Sequence, residues 1–591
     1  AQRRWRQPQR WRRSQIKFNS KTMKMKKILL TAACLAAAVL AGAQNMYDAI
    51  TFSQNQYFGT ARSMALGNAV TALGGDLGSI GINPAGSAVA SYGQFVITPG
   101  LTISSVSSAY SPEGENAYGA ASNLAHPRMN FPNVGLTMNF QTGRRTGVKS
   151  VTFGFVNNQT DNYNFVAEGF GTNSRTSKIA EFANAAGGYY EDVLKEYNSF
   201  NNSDVPWDIL AAYQGGMYGP YGWDGVYAGV TESISDNGDY HYVPGMLAQS
   251  SYLTKRGSKN DLIMNVGLNI SDRVYLGFNL GLPTARYRYS ESFYETAVDP
   301  GQFPIAYDDG YDTYFNRGTY NYQYLADIGG VYAKLGIIVI PVEGVRLGAS
   351  FQTPTALTVS ETWQYSASTV FDDSYYDDSV TSPQGEYSYT LRTPYRASFG
   401  AAFTFAKSGL ISVDYELADY SVMRFRGLHE NRMDEDTFLI QNWTNKYFAG
   451  VSHALRIGGE YRFTPEWAVR AGYGLTISPE RWWTDSNGQA VSADDFDADF
   501  YSYFNRIKSL VTPHYYGDRT QSFSAGLGYS SPGSFFLDAA VRLLRYPSST
   551  FAPYYDYDSY DSYGNLQSVQ APRVLNHRDL WNVSLTLGWR F

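Results

Sequence analysis

The chain has 591 residues, with 47 Lys or Arg against 53 Asp or Glu and a single cysteine, Cys34. Eleven of the basic residues and none of the acids lie in residues 1–43, so the remainder carries a net charge of −17 and has no cysteine; that argues against a nucleic-acid partner, a disulfide framework and thiol chemistry. No apolar run after residue 43 reaches the roughly 18 residues of a membrane helix, yet 49 Tyr, 33 Phe, 11 Trp and 56 Gly at mean hydropathy −0.33 suit a transmembrane β-barrel, whose strands show only alternate residues to lipid.

Residues 1–22 are basic without an acid and read as translated upstream sequence rather than native structure, the start being Met23 or Met25. Residues 23–43 have the pattern of a signal peptide: Lys24, Lys26 and Lys27, then an apolar run over 28–40, then Ala41-Gly42-Ala43 as the cleavage site, with Gln44 as the mature start. Residues 44–92 do not alternate. They are rich in small residues, Gly59-Thr60-Ala61-Arg62-Ser63-Met64-Ala65-Leu66-Gly67 and Ile82-Asn83-Pro84-Ala85-Gly86 among them, and are too few for an independent domain. Such a segment suits close packing inside another structure.

From residue 93 to 591 the apolar/polar alternation of lipid-facing strands recurs about fourteen times, at 95–103, 134–140, 148–156, 262–270, 274–280, 332–340, 346–351, 397–405, 411–415, 455–463, 467–475, 523–529, 537–543 and 580–591. Short polar turns (142–146, 271–273, 342–344, 407–409, 464–466, 531–533) alternate with long segments near 105–131, 158–260, 283–330, 355–394, 420–450, 477–519 and 547–578, as periplasmic turns alternate with extracellular loops in outer-membrane barrels. The last strand puts Trp581, Val583, Leu585, Leu587, Trp589 and Phe591 on one face and Ser584 and Arg590 on the other. Both chain ends are expected on the periplasmic side, with Phe591 as the signal to the barrel-assembly machinery.

The same parity puts Arg346, Arg396, Arg456, Arg462, Arg470, Arg542 and Arg590 in the lumen with Asp414, Glu416, Glu460 and Asp538. Two readings stand: an ion-pair lattice, or guanidinium forks for a ligand carboxylate. The largest loop, about 158–260, carries helical stretches with Ile179, Phe182, Trp207, Ile209 and Leu210 as an apolar landing surface. The Tyr/Asp-rich loops at 308–312, 372–378 and 554–558 lack the spacing of a calcium loop and read as solvated. His126, His241, His429, His453, His514 and His577 do not cluster, and Ser452-His453 on a strand sends the two side chains apart, so neither a metal site nor an enzyme is expected.

The run from Gly59 to Asn83-Pro84-Ala85-Gly86, with Arg346-Leu347-Gly348-Ala349-Ser350-Phe351-Gln352-Thr353-Pro354 and Asp414-Tyr415-Glu416-Leu417-Ala418-Asp419-Tyr420-Ser421, resembles the FadL/TodX family of outer-membrane transporters for hydrophobic compounds. The resemblance implies an all-β fold, a transmembrane antiparallel barrel of about fourteen strands over 93–591, plugged by an N-terminal hatch over 44–92. It implies that Gly59, Arg62, Gly67, Asn83, Pro84, Ala85 and Gly86 belong to the hatch. It also implies that substrate passes from the outer loops to an inner pocket and leaves sideways beside a kinked strand. Ile179, Phe182, Trp207, Ile209, Leu210, Arg346, Arg396 and Arg462 are the candidate substrate contacts. The expected function is uptake of hydrophobic small molecules, long-chain fatty acids or similar, by a monomer in the bacterial outer membrane. Its partners are the ligand and membrane lipid, with no cofactor and no nucleic acid. The alternatives are a haem-binding receptor and an aqueous porin.

Overall fold

A computed structural model of the chain describes residues 44–591 except 116, 222–224, 236–239, 307–310, 406–407, 429–437, 485–489 and 494–511. The upstream segment, the signal peptide, His429, residues 308–310 and part of the turn at 407–409 thus lie outside the described residues.

Fourteen antiparallel strands close a barrel: β1 (Gln94–Ser111), β2 (Ser122–Gln141), β3 (Val148–Asn162), β4 (Leu247–Ile270), β5 (Val274–Ala297), β6 (Asp312–Val342), β7 (Val345–Gln352), β8 (Arg396–Phe405), β9 (Gly409–Asp419), β10 (Val451–Arg462), β11 (Trp467–Ile477), β12 (Arg519–Ser530), β13 (Phe535–Arg545) and β14 (Arg573–Arg590). Each pairs with the next, and β14 returns to β1 with Trp589 opposite Phe95. Every segment expected from alternation is one of these strands. On β14, Trp581, Val583, Leu585 and Trp589 are exposed, while Asn582, Ser584 and Thr586 are buried. The outer face is thus apolar and the inner face polar, which only a lipid surround rewards. A closed, even-numbered barrel with this belt is a bacterial outer-membrane protein.

The strands run far past the apolar belt. β4 and β5 have 24 residues each and β6 has 31. On β5 the outward residues change from Leu276, Phe278 and Leu280 to Thr284, Arg286 and Arg288. Beyond the lipid both faces are polar, so alternation in hydrophobicity disappears while alternation in burial continues. Much of what reads as loop is therefore strand. Residues Ala356–Phe371 extend the sheet along β6, Gly385–Arg392 pair with them, and Arg424–Gly427 follow. Short excursions at Pro354 and Pro394 separate these upper strands from β7 and β8, as proline dictates by removing a ladder donor.

One seam is incomplete. β2 pairs with β3 only over Asn133–Gln141 and Ser150–Asn158. β3 bulges between Gln159 and Asp161, and the following strand, Phe165–Asn173, stays with β4 and brings Gly171 against Tyr110 of β1. The upper half of β2 keeps one free edge, where Met129 is 83% and Phe131 56% exposed. β3 thus leaves β2 at this bulge.

Residues 46–89 run through the barrel interior as α1 (Met46–Ser53), α2 (Ala61–Ala65), α3 (Leu77–Ile80) and a 3₁₀ turn (Pro84–Val89). The described chain begins high in the lumen, where Gln44 Nε2 donates to Glu361 of the upper sheet at 2.6 Å. It descends to the short-turn side, where Gly93 pairs with Phe591. The two ends, expected on one side, lie at opposite ends of the barrel, Phe591 at the short turns and Gln44 near the upper sheet. Apolar packing of Met46, Ile50 and Phe52 against Tyr287, Tyr324 and Phe448 draws that end upward.

Above the sheet, α4 (Lys178–Ala185), α5 (Glu191–Lys195), α6 (Ser199–Asn202) and α7 (Trp207–Gln214) pack into one cap with the upper ends of β5 and β6. A further helix, α8 (Leu439–Phe448), lies by α1. Among the described residues no helix is long and apolar enough to cross a membrane.

Candidate functional site

A chain with only short helices inside a barrel leaves backbone groups in need of partners. Lumen side chains supply them. Asn265 donates to Pro84 O at 3.0 Å, Asn279 to Ile80 O at 2.8 Å, Lys334 to Gly81 O at 2.6 Å and Ser350 to Ile82 O at 2.9 Å. Asp414 accepts from Thr71 N and Thr586 from Ala61 N, both at 2.7 Å. Asn83, wholly buried, joins three points: its Nδ2 donates to Thr71 O at 2.7 Å and Ile337 O at 3.1 Å, and its Oδ1 accepts from Ala85 N at 3.1 Å. Arg62 pairs with Glu460 at 3.0 Å, and Glu460 with Arg470 at 2.7 Å.

Glycines in the wall allow this approach. A Cβ at Gly277 would stand 2.2 Å from Ala85 N and Pro84 C; at Gly336 it would meet Asn83 Oδ1 at 1.9 Å, at Gly348 Thr71 O at 2.2 Å, and at Gly472 Gly67 N at 2.2 Å. These residues sit on four different strands, and all face inward at the level of the buried segment. Gly59 and Gly67 have φ of +61° and +62°, which a side chain disfavours.

Above the segment lies a cavity of 220 Å³, bounded by Gln54–Gln56 and Gly67–Asn68 on one side and by the walls of β8 to β13 on the other. Arg396, Arg456 and Arg542 line it. Arg396 Nη1 donates to Glu416 Oε1 at 3.1 Å, and both Nη atoms of Arg456 donate to Glu416 Oε2 at 3.2 Å. One carboxylate therefore serves two guanidiniums. Arg542, 2% exposed, has no ion pair among the described residues. Its Nη1 donates to Tyr57 O at 2.9 Å and its plane covers Phe58 at 4.7 Å, but Nε and Nη2 have no hydrogen-bond partner. A buried guanidinium in a cavity wall, with no acid paired to it among the described residues, can take an anion.

Of the arginines expected to contact substrate, only Arg396 lines this cavity. Arg346 donates to Leu73 O at 2.8 Å, and Arg462, 56% exposed, lies 3.4 Å from Glu460. Ile179, Phe182, Ile209 and Leu210 are buried in the core of the cap, and Trp207 packs on Phe200 and Trp363 at 5.5 and 5.8 Å. Their apolar surfaces are covered by protein. Parity places Arg542 in the lumen from sequence, but its lack of an acid depends on contacts across strands. None of the described histidines lines the cavity.

No family model matches the chain, and no curated protein does. Among solved structures, a Pseudomonas aeruginosa FadL homologue is 12% identical over 90% of this chain and 98% of its own, with a TM-score of 0.43. The P. putida toluene transporter TodX is 10% identical over 90% and 98%, with a TM-score of 0.42. The monoaromatic hydrocarbon channel CymD is 11% identical over 90% and 98%, with a TM-score of 0.40. The chain is thus similar, over nine tenths of its length, to solved channels of the FadL and TodX type.

Proposed function

We propose that this protein is an outer-membrane channel that takes up hydrophobic small molecules with an acidic head, long-chain fatty acids being the leading class. The observation that carries this reading is Arg542, a buried guanidinium in the cavity wall with no acid paired to it among the described residues, beside Arg396 and Arg456. At 220 Å³ the cavity is smaller than the roughly 300–1,000 Å³ of drug-sized sites, which suits a head group whose tail lies elsewhere along the lumen. The tail needs no polar code, since each buried methylene contributes about 0.8 kcal/mol.

In this reading residues 44–92 act as a hatch that blocks free passage. Release is sideways, through the unpaired seam between β2 and β3. Asn130 and Gln159 meet there at 2.7 Å across the opening, and the free edge carries Met129 and Phe131 toward lipid.

The test is uptake by cells carrying Arg542→Gln, with radiolabelled oleate and a neutral aromatic hydrocarbon such as toluene measured side by side. The expected result is a loss of oleate uptake of about tenfold or more, the worth of one charge-assisted pair, with toluene unaffected. Equal oleate uptake by wild type and variant would overturn the carboxylate reading. Toluene uptake that exceeds oleate uptake in wild type would move the substrate to neutral hydrocarbons.

A further inference from the structure

The outer wall just above the lipid belt carries a second arginine cluster. On β8 the outward apolar residues Phe403 and Phe399 climb the belt, and Tyr395, just before the strand, stacks on Phe351 at 6.1 Å as an interfacial aromatic pair. Three residues beyond Tyr395 along the chain, Arg392 points outward from the upper strand. Its direct cross-strand partner is Arg424, and Thr390 faces Arg426 two places on. All three arginines are exposed, and none has an ion pair among the described residues. Among the described residues the nearest acid along the chain, Asp419, holds its carboxylate on Ser421 N and Oγ at 3.0 and 2.6 Å.

Like charges directly opposite on one sheet face repel and destabilise. Arg286 on the outer face, by contrast, is neutralised, forking onto Asp327 at 2.6 and 3.0 Å. The strand Arg424–Gly427 is held in register by Asn442 of α8, whose amide bonds Phe425 N and O at 2.8 and 3.0 Å, so the pair cannot slip apart. Three forked donors in fixed register, at the height where lipid gives way to head groups, are complementary to a phosphate.

We infer that Arg392, Arg424 and Arg426 form a binding site for the phosphorylated head group of an outer-leaflet glycolipid. The site faces the membrane and is separate from the uptake route. A bound phosphate offsets the repulsion between Arg392 and Arg424 and anchors this wall of the barrel, beside the breaks at Pro354 and Pro394, to the surrounding lipid.

The full-length protein, purified in neutral detergent, is mixed with phosphorylated lipid A, with its dephosphorylated form or with inorganic phosphate, and bound lipid is counted by native mass spectrometry. Thermal unfolding is followed in parallel. The triple variant Arg392→Gln/Arg424→Gln/Arg426→Gln is compared with wild type and with Arg256→Gln/Arg288→Gln, which removes another directly opposed outer pair six residues above Leu262 and Leu282. The expected result is a loss of phosphorylated lipid A binding of about tenfold or more in the triple variant only, with the dephosphorylated lipid binding wild type no better than it binds the variant. The triple variant should also unfold at a higher temperature than wild type in lipid-free detergent and lose that advantage once the glycolipid is added. Equal losses in both variants, equal binding of the dephosphorylated lipid, saturation by inorganic phosphate alone, or a stability order that does not change with lipid would each overturn the site.

Discussion

The buried segment proposed as a hatch is held by close approach to wall glycines, and Gly277→Ala isolates that contact. The new Cβ would lie 2.2 Å from both Ala85 N and Pro84 C and 2.4 Å from Pro84 O. Ordinary contact begins near 3.4 Å, so the backbone must retreat by more than 1 Å, and the atoms in the way are main chain rather than the tip of a mobile side chain. Overpacking of this kind costs about 1–3 kcal/mol, and the upper end applies where backbone cannot yield. The strand itself is unharmed, because φ at Gly277 lies outside the left-handed region and alanine restricts the unfolded chain. The strain therefore falls on the seated segment. At about 3 kcal/mol the ratio of unseated to seated hatch rises about a hundredfold. Gly329→Ala is the control, since its Cβ would meet nothing within 4 Å. Planar-bilayer conductance and limited proteolysis of residues 44–92 read the outcome. Gly277→Ala should show frequent openings and faster cleavage, and Gly329→Ala neither. If the two variants behave alike, the buried segment does not close the lumen through this contact.

Asn83→Ala removes three buried hydrogen bonds and should unseat the same segment by about 2–3 kcal/mol, visible as hydrogen exchange at 71–86; unchanged protection there would refute it. In the cap, burial first and then Asp208 push the Glu181 carboxyl up from 4.5 to about 8, against Lys178. A raised acid costs nothing below its unfolded value and progressively more as pH climbs to the folded one, at most about 1.4 kcal/mol per pH unit. After correction for the intrinsic pH dependence of exchange, the cap helices should therefore be better protected at pH 5 than at pH 8, and Glu181→Gln should abolish the difference; protection that does not change with pH counts against it. Ile209→Asp buries a charge in the cap core, where Ile209 is 4% exposed, and should open the cap to protease while leaving the barrel heat-modifiable on gels. A protease-resistant variant would show that this core does not hold the cap. Deleting Phe591, whose backbone pairs twice with Gly93 at 2.9 and 3.0 Å, should lower the folded yield in the outer membrane, and an unchanged yield would remove its role in assembly.

What the sequence determined by itself is the barrel and its parity. Lipid on one side and polar lumen on the other write the two faces of each strand into alternate residues, so fourteen segments and the lumen position of Arg396, Arg456, Arg470 and Arg542 are legible without coordinates. Small residues from Gly59 to Gly86 likewise announce a segment that needs close approach. Where that contrast ends, legibility ends. Above the belt water meets both faces, and the upper reaches of β4, β5 and β6 read as loop although they are sheet. The cap residues Ile179 and Ile209 read as an open apolar surface, because a sequence shows that a residue is apolar and not what covers it. The site depends on pairing across strands far apart in the chain: Glu416 takes Arg396 and Arg456 from the strands on either side of it, and Arg542 is left without an acid. Only closure of the barrel decides which lumen charge is neutralised by a neighbour and which is not.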